Sequence, residues 1–207
     1  MSDDAPRPPP CDIAFTPSVK AAQMRLGSRS RMERLESDRP WQTEVTDDLG
    51  AFLAIIDTFF FATASAAGQP YIQHRGGPPG FLRVIDKRTL GFADFRGNRQ
   101  YITVGNLAEN PRCHIFILHF ATQQRVKLWG RARYVEDDAA LLRQLAVPGY
   151  RALVERAIVF EIEAWDVNCS QHITARYSEP EIAPAIDRLA ARIKELEAEV
   201  ARLKGSA

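Results

Sequence analysis

The sequence predicts a mainly β protein: a small antiparallel barrel or sandwich with flanking helices and a heptad-patterned helix at the C-terminal end. Three observations carry this. Between residues 58 and 165 the chain breaks into short runs rich in aromatic and β-branched residues, bounded by Gly, Asn, Asp and Pro. Tight turns rather than helices join most of those runs, which argues against a parallel βαβ sheet. From Ile182 to Leu203, large aliphatic residues recur at steps of four and three, a 3.5-residue seam.

The elements follow in order. Residues 1–17 are expected to be a mobile tail, because four prolines and two aspartates in the first ten residues suit neither helix nor sheet interior. Residues 18–57 are expected to be a helical arm. Its first part, Ser18 to Glu36, is interrupted at Gly27-Ser28, and Thr46 caps a second helix carrying Leu49, Phe52, Leu53 and Ile56 at helical spacing. Thr58–Ser65 is the first strand and Ala66-Ala67-Gly68-Gln69 the turn into Tyr71–His74. Gly76-Gly77-Pro78-Pro79-Gly80 forces a loop. Strands over Phe81–Ile85 and Leu90–Phe95 precede a short helix that ends near Asn110-Pro111. Cys113–Phe120, Arg125–Tyr134 and Ala157–Trp165 are the remaining strands, with a helix over Asp138–Leu145. This central domain is expected to cover residues 58–178, and the heptad helix residues 179–207.

One strand can be read side chain by side chain. Val126, Leu128, Gly130, Ala132 and Tyr134 share one face and can fill a small barrel; Arg125, Lys127, Trp129, Arg131 and Arg133 share the other. Arg131 and Arg133 are read as a solvated outer face balanced by Glu161 and Glu163. For Arg125 and Lys127, an anionic ligand or partner surface is as consistent with the charge as a solvated face.

Composition excludes several function classes. A formal net charge of +1 gives no bulk electrostatic case for nucleic acid. No apolar run is long enough to span a bilayer, and Met1-Ser2-Asp3-Asp4 does not begin a signal peptide. Three scattered cysteines, Cys11, Cys113 and Cys169, suit a reducing cytoplasm rather than a disulfide scaffold. Cys169 with His172 falls short of a metal site, and no metal is expected. No phosphate-loop, Gly-x-Ser-x-Gly or Gly-x-Gly-x-x-Gly signature occurs.

The most specific stretch is Gly91-Phe92-Ala93-Asp94-Phe95-Arg96-Gly97-Asn98-Arg99-Gln100. It reads as a strand, a break at Arg96-Gly97, and a helix capped by Asn98 with Arg99 and Gln100 in its first turn. A helix N-terminus with an arginine suits a phosphate, although capping alone also accounts for Asn98. This stretch, with Asn106-Leu107-Ala108-Glu109-Asn110-Pro111-Arg112 behind it, resembles the pyridoxamine 5′-phosphate oxidase-like family of FMN-binding split β-barrels. The similarity runs from about Phe59 to Trp165.

The resemblance implies a homodimer with FMN in a cleft between two subunits. It implies that Arg99 holds the cofactor phosphate, with Asn98 where the family has a hydroxyl residue and Gln100 where it has a lysine. Asp94 lies within the same motif. Arg75, Arg125 or Lys127 would make up the lost charge. The flavin ring would lie along His74, Arg75, Gly76, Gly77 and the segment through Arg83; Trp165 either reaches it from the last strand or serves as a core or interface residue. No match exists for the family's C-terminal arginine strand, so vitamin B6 oxidation is not implied. The expected function is FMN-dependent oxidation or reduction of a small organic substrate by hydride transfer. The alternatives are haem or deazaflavin in the same cleft, with His74, His119 or His172 as candidate axial ligands, and a non-enzymatic flavin-binding or interaction module. No catalytic side chain is assigned.

Overall fold

Seven strands make one antiparallel sheet in the computed structural model, which describes residues 8–205. They are β1 (Thr58–Ala64), β2 (Pro70–Gly76), β3 (Arg83–Val84), β4 (Thr89–Phe95), β5 (Arg112–His119), β6 (Gln124–Val135) and β7 (Val154–Asn168), in spatial order β2-β1-β5-β6-β7-β4-β3. Six helices accompany them: α1 (Pro17–Arg25), α2 (Arg29–Asp38), α3 (Asp47–Ile55), α4 (Ile102–Glu109), α5 (Ala139–Leu145) and α6 (Glu179–Lys204). The chain divides into two compact units. One holds residues up to 118 with 124–169; the other holds 119–123 with residues from 170 onward.

The sheet of the first unit curls on itself. Three strands separate β1 from β4 in the sheet order, yet the Phe59 and Phe61 rings meet Phe92 edge-on at 5.1 and 5.8 Å. Phe59 also stacks on Phe81 at 5.3 Å. Four of the rings inside this curl, Phe59, Phe61, Phe81 and Phe92, are fully buried, and Leu128, Ile158 and Ile162 close the layer beside them. Each such side chain contributes about 1.5–3 kcal/mol on burial. Asn106 of α4 donates to Thr63 Oγ1 of β1 at 2.9 Å, a satisfied buried polar pair that ties α4 to the strand.

The alternation expected for β6 is observed. Val126, Leu128, Gly130 and Ala132 are buried, and Arg131 and Arg133 are exposed. Arg131 stands opposite Glu161 of β7. The register shifts at Trp129/Gly130, and a Cβ on Gly130 would lie 2.0 Å from the Glu161 carbonyl oxygen, so only glycine fits this bulge. Caps expected at Thr46 and before α5 are also present. Thr46 accepts from Leu49 N, and Asp138 accepts from Ala140 N and Leu141 N.

Three expectations differ from the structure. Residues 8–17 are not plain tail: Pro10–Ile13 is a 3-10 turn, Thr16 caps α1, and Cys11 is buried. Pro10 and Pro17 stand at first helical positions, where no N–H is required. Residues 1–7 of the expected tail lie outside the described residues, as do Ser206 and Ala207 of the C-terminal segment. The strand expected over Phe81–Ile85 shrinks to two residues, because Phe81 and Leu82 turn inward as core side chains. The third difference concerns Asn98, described below.

Candidate functional site

Asp94 closes β4 with its carboxylate between two buried arginines. Arg75 of β2 donates to Oδ1, and Arg156 of β7 donates to Oδ2 at 2.9 Å. All three side chains are about nine-tenths buried. Arg156 reaches two further carboxylates, Glu136 at 3.1 Å and Glu155 at 3.3 Å. Arg96, next along from β4, pairs with Glu155 at 2.8 Å. A neutralised network of this kind is stable because each buried charge has a partner.

Residues 96–101 leave the strand beside this network. Here the expected cap is corrected: Asn98 does not begin the helix. Its Oδ1 accepts from Gln100 N at 3.2 Å, an Asx turn, and the N-cap of α4 is Tyr101, three residues on. Arg99 and Tyr101 both have left-handed backbones, φ 59° and 55°. That conformation is uncommon for non-glycine residues and costs about 1–3 kcal/mol each, so it persists only where the surroundings impose it.

Arg99 donates from Nε to the Tyr101 hydroxyl at 3.0 Å, a bond that raises its already high pKa. The guanidinium of Arg156 lies over the Tyr101 ring at 5.0 Å. Among the described residues no carboxylate forms an ion pair with Arg99, and the buried Nε of Arg75 has no hydrogen-bond partner. Arg75, Asp94, Asn98, Arg99 and Gln100 line one open cleft together with Tyr71, Gln73, Thr103 and Arg156. Thr103 donates to Gln73 at its edge at 3.0 Å.

The structure therefore gathers five of the sequence-derived candidates. It places the other seven elsewhere in the chain. His74 pairs with Thr58 Oγ1 at 2.6 Å. Gly76 N and Gly77 N lie at the end of β2, where Gly77 donates to the Asp57 carbonyl at 3.0 Å. A Cβ on Gly77 would lie 2.7 Å from the Phe81 ring, so close packing on Phe81 accounts for this glycine. Arg83 donates to the Ala146 carbonyl at 3.3 Å. Arg125 donates from Nε to the Cys169 carbonyl at 3.0 Å. Lys127 pairs with Asp166 at 3.3 Å and lies over the stacked rings of Trp41 and Trp129. Trp165 is a core residue whose indole N–H donates to the Glu44 carbonyl at 2.8 Å. Of the three histidines considered as axial ligands, His119 accepts from or donates to Thr122, and His172 has a left-handed backbone.

Tyr71, Gln73, Tyr101, Thr103 and Arg156 are cleft residues that sequence reasoning missed. Arg156 stands opposite Asp94 in the β4–β7 register, a position no short motif reveals. The adjoining Glu155-Arg156 charge pair at the head of an apolar strand was the available signal.

A family model described as pyridoxamine 5′-phosphate oxidase matches residues 45–194. The chain belongs to the pyridoxamine 5′-phosphate oxidase family. That match spans the whole curled sheet and the cleft, and the seven-stranded sheet with its flanking helices is the split barrel of this family. Among solved structures, HupZ of Group A Streptococcus superposes with a TM-score of 0.50 at 17% identity, covering 64% of this chain and 99% of that one. A putative pyridoxamine 5′-phosphate oxidase from Lactobacillus delbrueckii gives 0.47 at 18% identity, over 60% and 95%. An FMN-binding protein from Syntrophomonas wolfei gives 0.45 at 14%, over 73% and 95%. At 17% identity, what the HupZ superposition shows is the fold. No curated protein matches the chain. Among the described residues, no helix is long and apolar enough to cross a membrane, and no group of three His, Cys, Asp or Glu could hold a metal ion.

Proposed function

We propose that this member of the pyridoxamine 5′-phosphate oxidase family is an FMN-dependent oxidoreductase acting on a small organic substrate. The observation that carries the reading is the cleft at residues 97–101: a strained, left-handed turn beside Arg99, over a buried Arg75 whose Nε lacks a partner among the described residues. A phosphate ester fits that donor set. Arg99 offers a planar fork, Asn98 and Gln100 offer amides, and the Arg75 guanidinium in the cleft wall adds positive charge. When bound, FMN supplies the hydride chemistry of its ring. The chain's residues bind and orient it: Arg99 and Arg75 meet the phosphate charge, and Asp94 and Arg156 hold Arg75 in place.

The functional unit in this reading is a homodimer, with the ring edge of each cleft completed by a second copy. Three cysteines scattered through the sequence suit a reducing compartment such as the cytoplasm. The absorption spectrum of the purified protein, with added FMN, tests the reading. Two flavin bands in the near-UV and blue that remain with the protein on gel filtration support it. A Soret band would make the protein a haem binder, and a colourless protein that FMN does not stabilise would make it an interaction module. Light scattering at micromolar concentration tests the dimer, and a monomer mass ends that part.

A further inference from the structure

Helix α6 carries an apolar stripe that nothing within its own unit covers. Ile186, Leu189, Ile193, Leu196, Val200 and Leu203 are 42–65% exposed, and Ile182 continues the stripe one step earlier. The helix has 26 residues and opens on a complete capping box between Ser178 and Glu181, so it is long enough and well enough capped to stand as a helix. Pro184 interrupts its hydrogen bonding, and the regular seam begins just after it.

In heptad letters, Ile186, Ile193 and Val200 fall at a, and Leu189, Leu196 and Leu203 at d. From Ile186 to Leu203 the a residues are β-branched and the d residues are leucine, the combination that favours two parallel strands; Ile182, at the d position before them, lies on the far side of Pro184. The flanking charges agree. Arg192 and Glu199 fall at g, Glu197 and Lys204 at e. In a parallel, in-register pair each g residue faces the e residue five positions on in the other helix. Arg192 then faces Glu197 of the second copy, and Glu199 faces Lys204, with both pairs repeated by symmetry. An antiparallel pair would set a residues against d residues and lose all four of these contacts, leaving two Arg192–Glu199 pairs in their place.

We infer that α6 joins a second copy of this chain as a parallel, in-register two-stranded coiled coil over Ile186–Leu203. The inference rests on the helix alone and does not depend on the cofactor reading. The test uses the full chain with Cys169→Ser, which removes the exposed thiol while Cys11 and Cys113 stay buried. Leu203→Cys in this background should form a disulfide-linked dimer under mild oxidation, because in the parallel pair the two positions are adjacent. In an antiparallel pair they would lie about 25 Å apart along the axis. Arg192→Glu should cut the cross-linking yield about five- to tenfold, and Glu197→Arg added to it should restore the yield. Absence of the Leu203→Cys cross-link overturns the inference. So does a cross-link between Ile186→Cys and Leu203→Cys chains that exceeds the symmetric one, which marks an antiparallel pair. FMN titration of the same variants separates this result from the cofactor reading, since none of these residues lies in the cleft.

Discussion

Asp94→Asn perturbs the centre of the arginine network while keeping its shape. In the wild type the carboxylate serves two guanidiniums, but their losses are unequal. Arg156 keeps Glu136 and Glu155, whereas Arg75 has only Asp94 as an ion-pair partner among the described residues. The substitution therefore strands one buried cation rather than two. Breaking a buried pair in this way costs about 3–5 kcal/mol, and the retained amide acceptor puts the expectation at the lower end, about 3 kcal/mol. For a chain of this size each kcal/mol moves the melting point by about 2–4 °C, so the loss should be roughly 6–12 °C. The same change should favour anions, because Asp94 no longer competes with a phosphate for Arg75. Thermal unfolding followed by circular dichroism, with and without inorganic phosphate, reads both effects. Phosphate should recover more of the melting point in the variant than it adds to the wild type. An unchanged melting point in the variant, or equal phosphate effects in the two proteins, would refute the account of the network.

Two other outcomes follow from the packing and the titrating groups. Gly130→Ala should fail to give a well-folded protein, because its Cβ would sit 2.0 Å from a backbone oxygen that cannot move aside; a soluble variant with near wild-type melting would contradict the bulge geometry. Burial and, secondarily, Lys127 push the His114 imidazole down to about 4. Its folded value lies below the ordinary 6.5, so the stability it contributes is complete above pH 6.5 and is lost as pH falls toward 4, by at most about 3 kcal/mol. His114→Phe should flatten the urea-midpoint profile between pH 6.5 and 4, and an unaltered slope would show that other groups govern it.

The sequence and the structure part company where backbone conformation, rather than hydrophobic pattern, decides. The two faces of β6 were legible because period-two alternation and burial are the same physical fact. Thr46 was legible as a cap because its hydroxyl competes for a free N–H in any helix of this kind. Asn98 was misplaced for the same reason in reverse: its side chain does accept a backbone N–H, but across a turn, and Tyr101 as a left-handed N-cap has no sequence signal. Within the cleft, the motif supplied Arg99, Asn98 and Asp94. Arg156 is brought there by strand register over 62 positions of chain, which local reading does not reach.

The central claim is that the cleft at Arg99 holds a flavin phosphate, and FMN titration of the wild type against Arg99→Ala, followed by flavin fluorescence, tests it most directly. Loss of one hydrogen-bonding partner to a charged phosphate is worth about 1.5–3 kcal/mol, so the dissociation constant should rise roughly 10- to 150-fold, while riboflavin, which lacks the phosphate, should bind both proteins alike. Equal FMN affinity in the two proteins, with the variant's fold intact by circular dichroism, would contradict the claim.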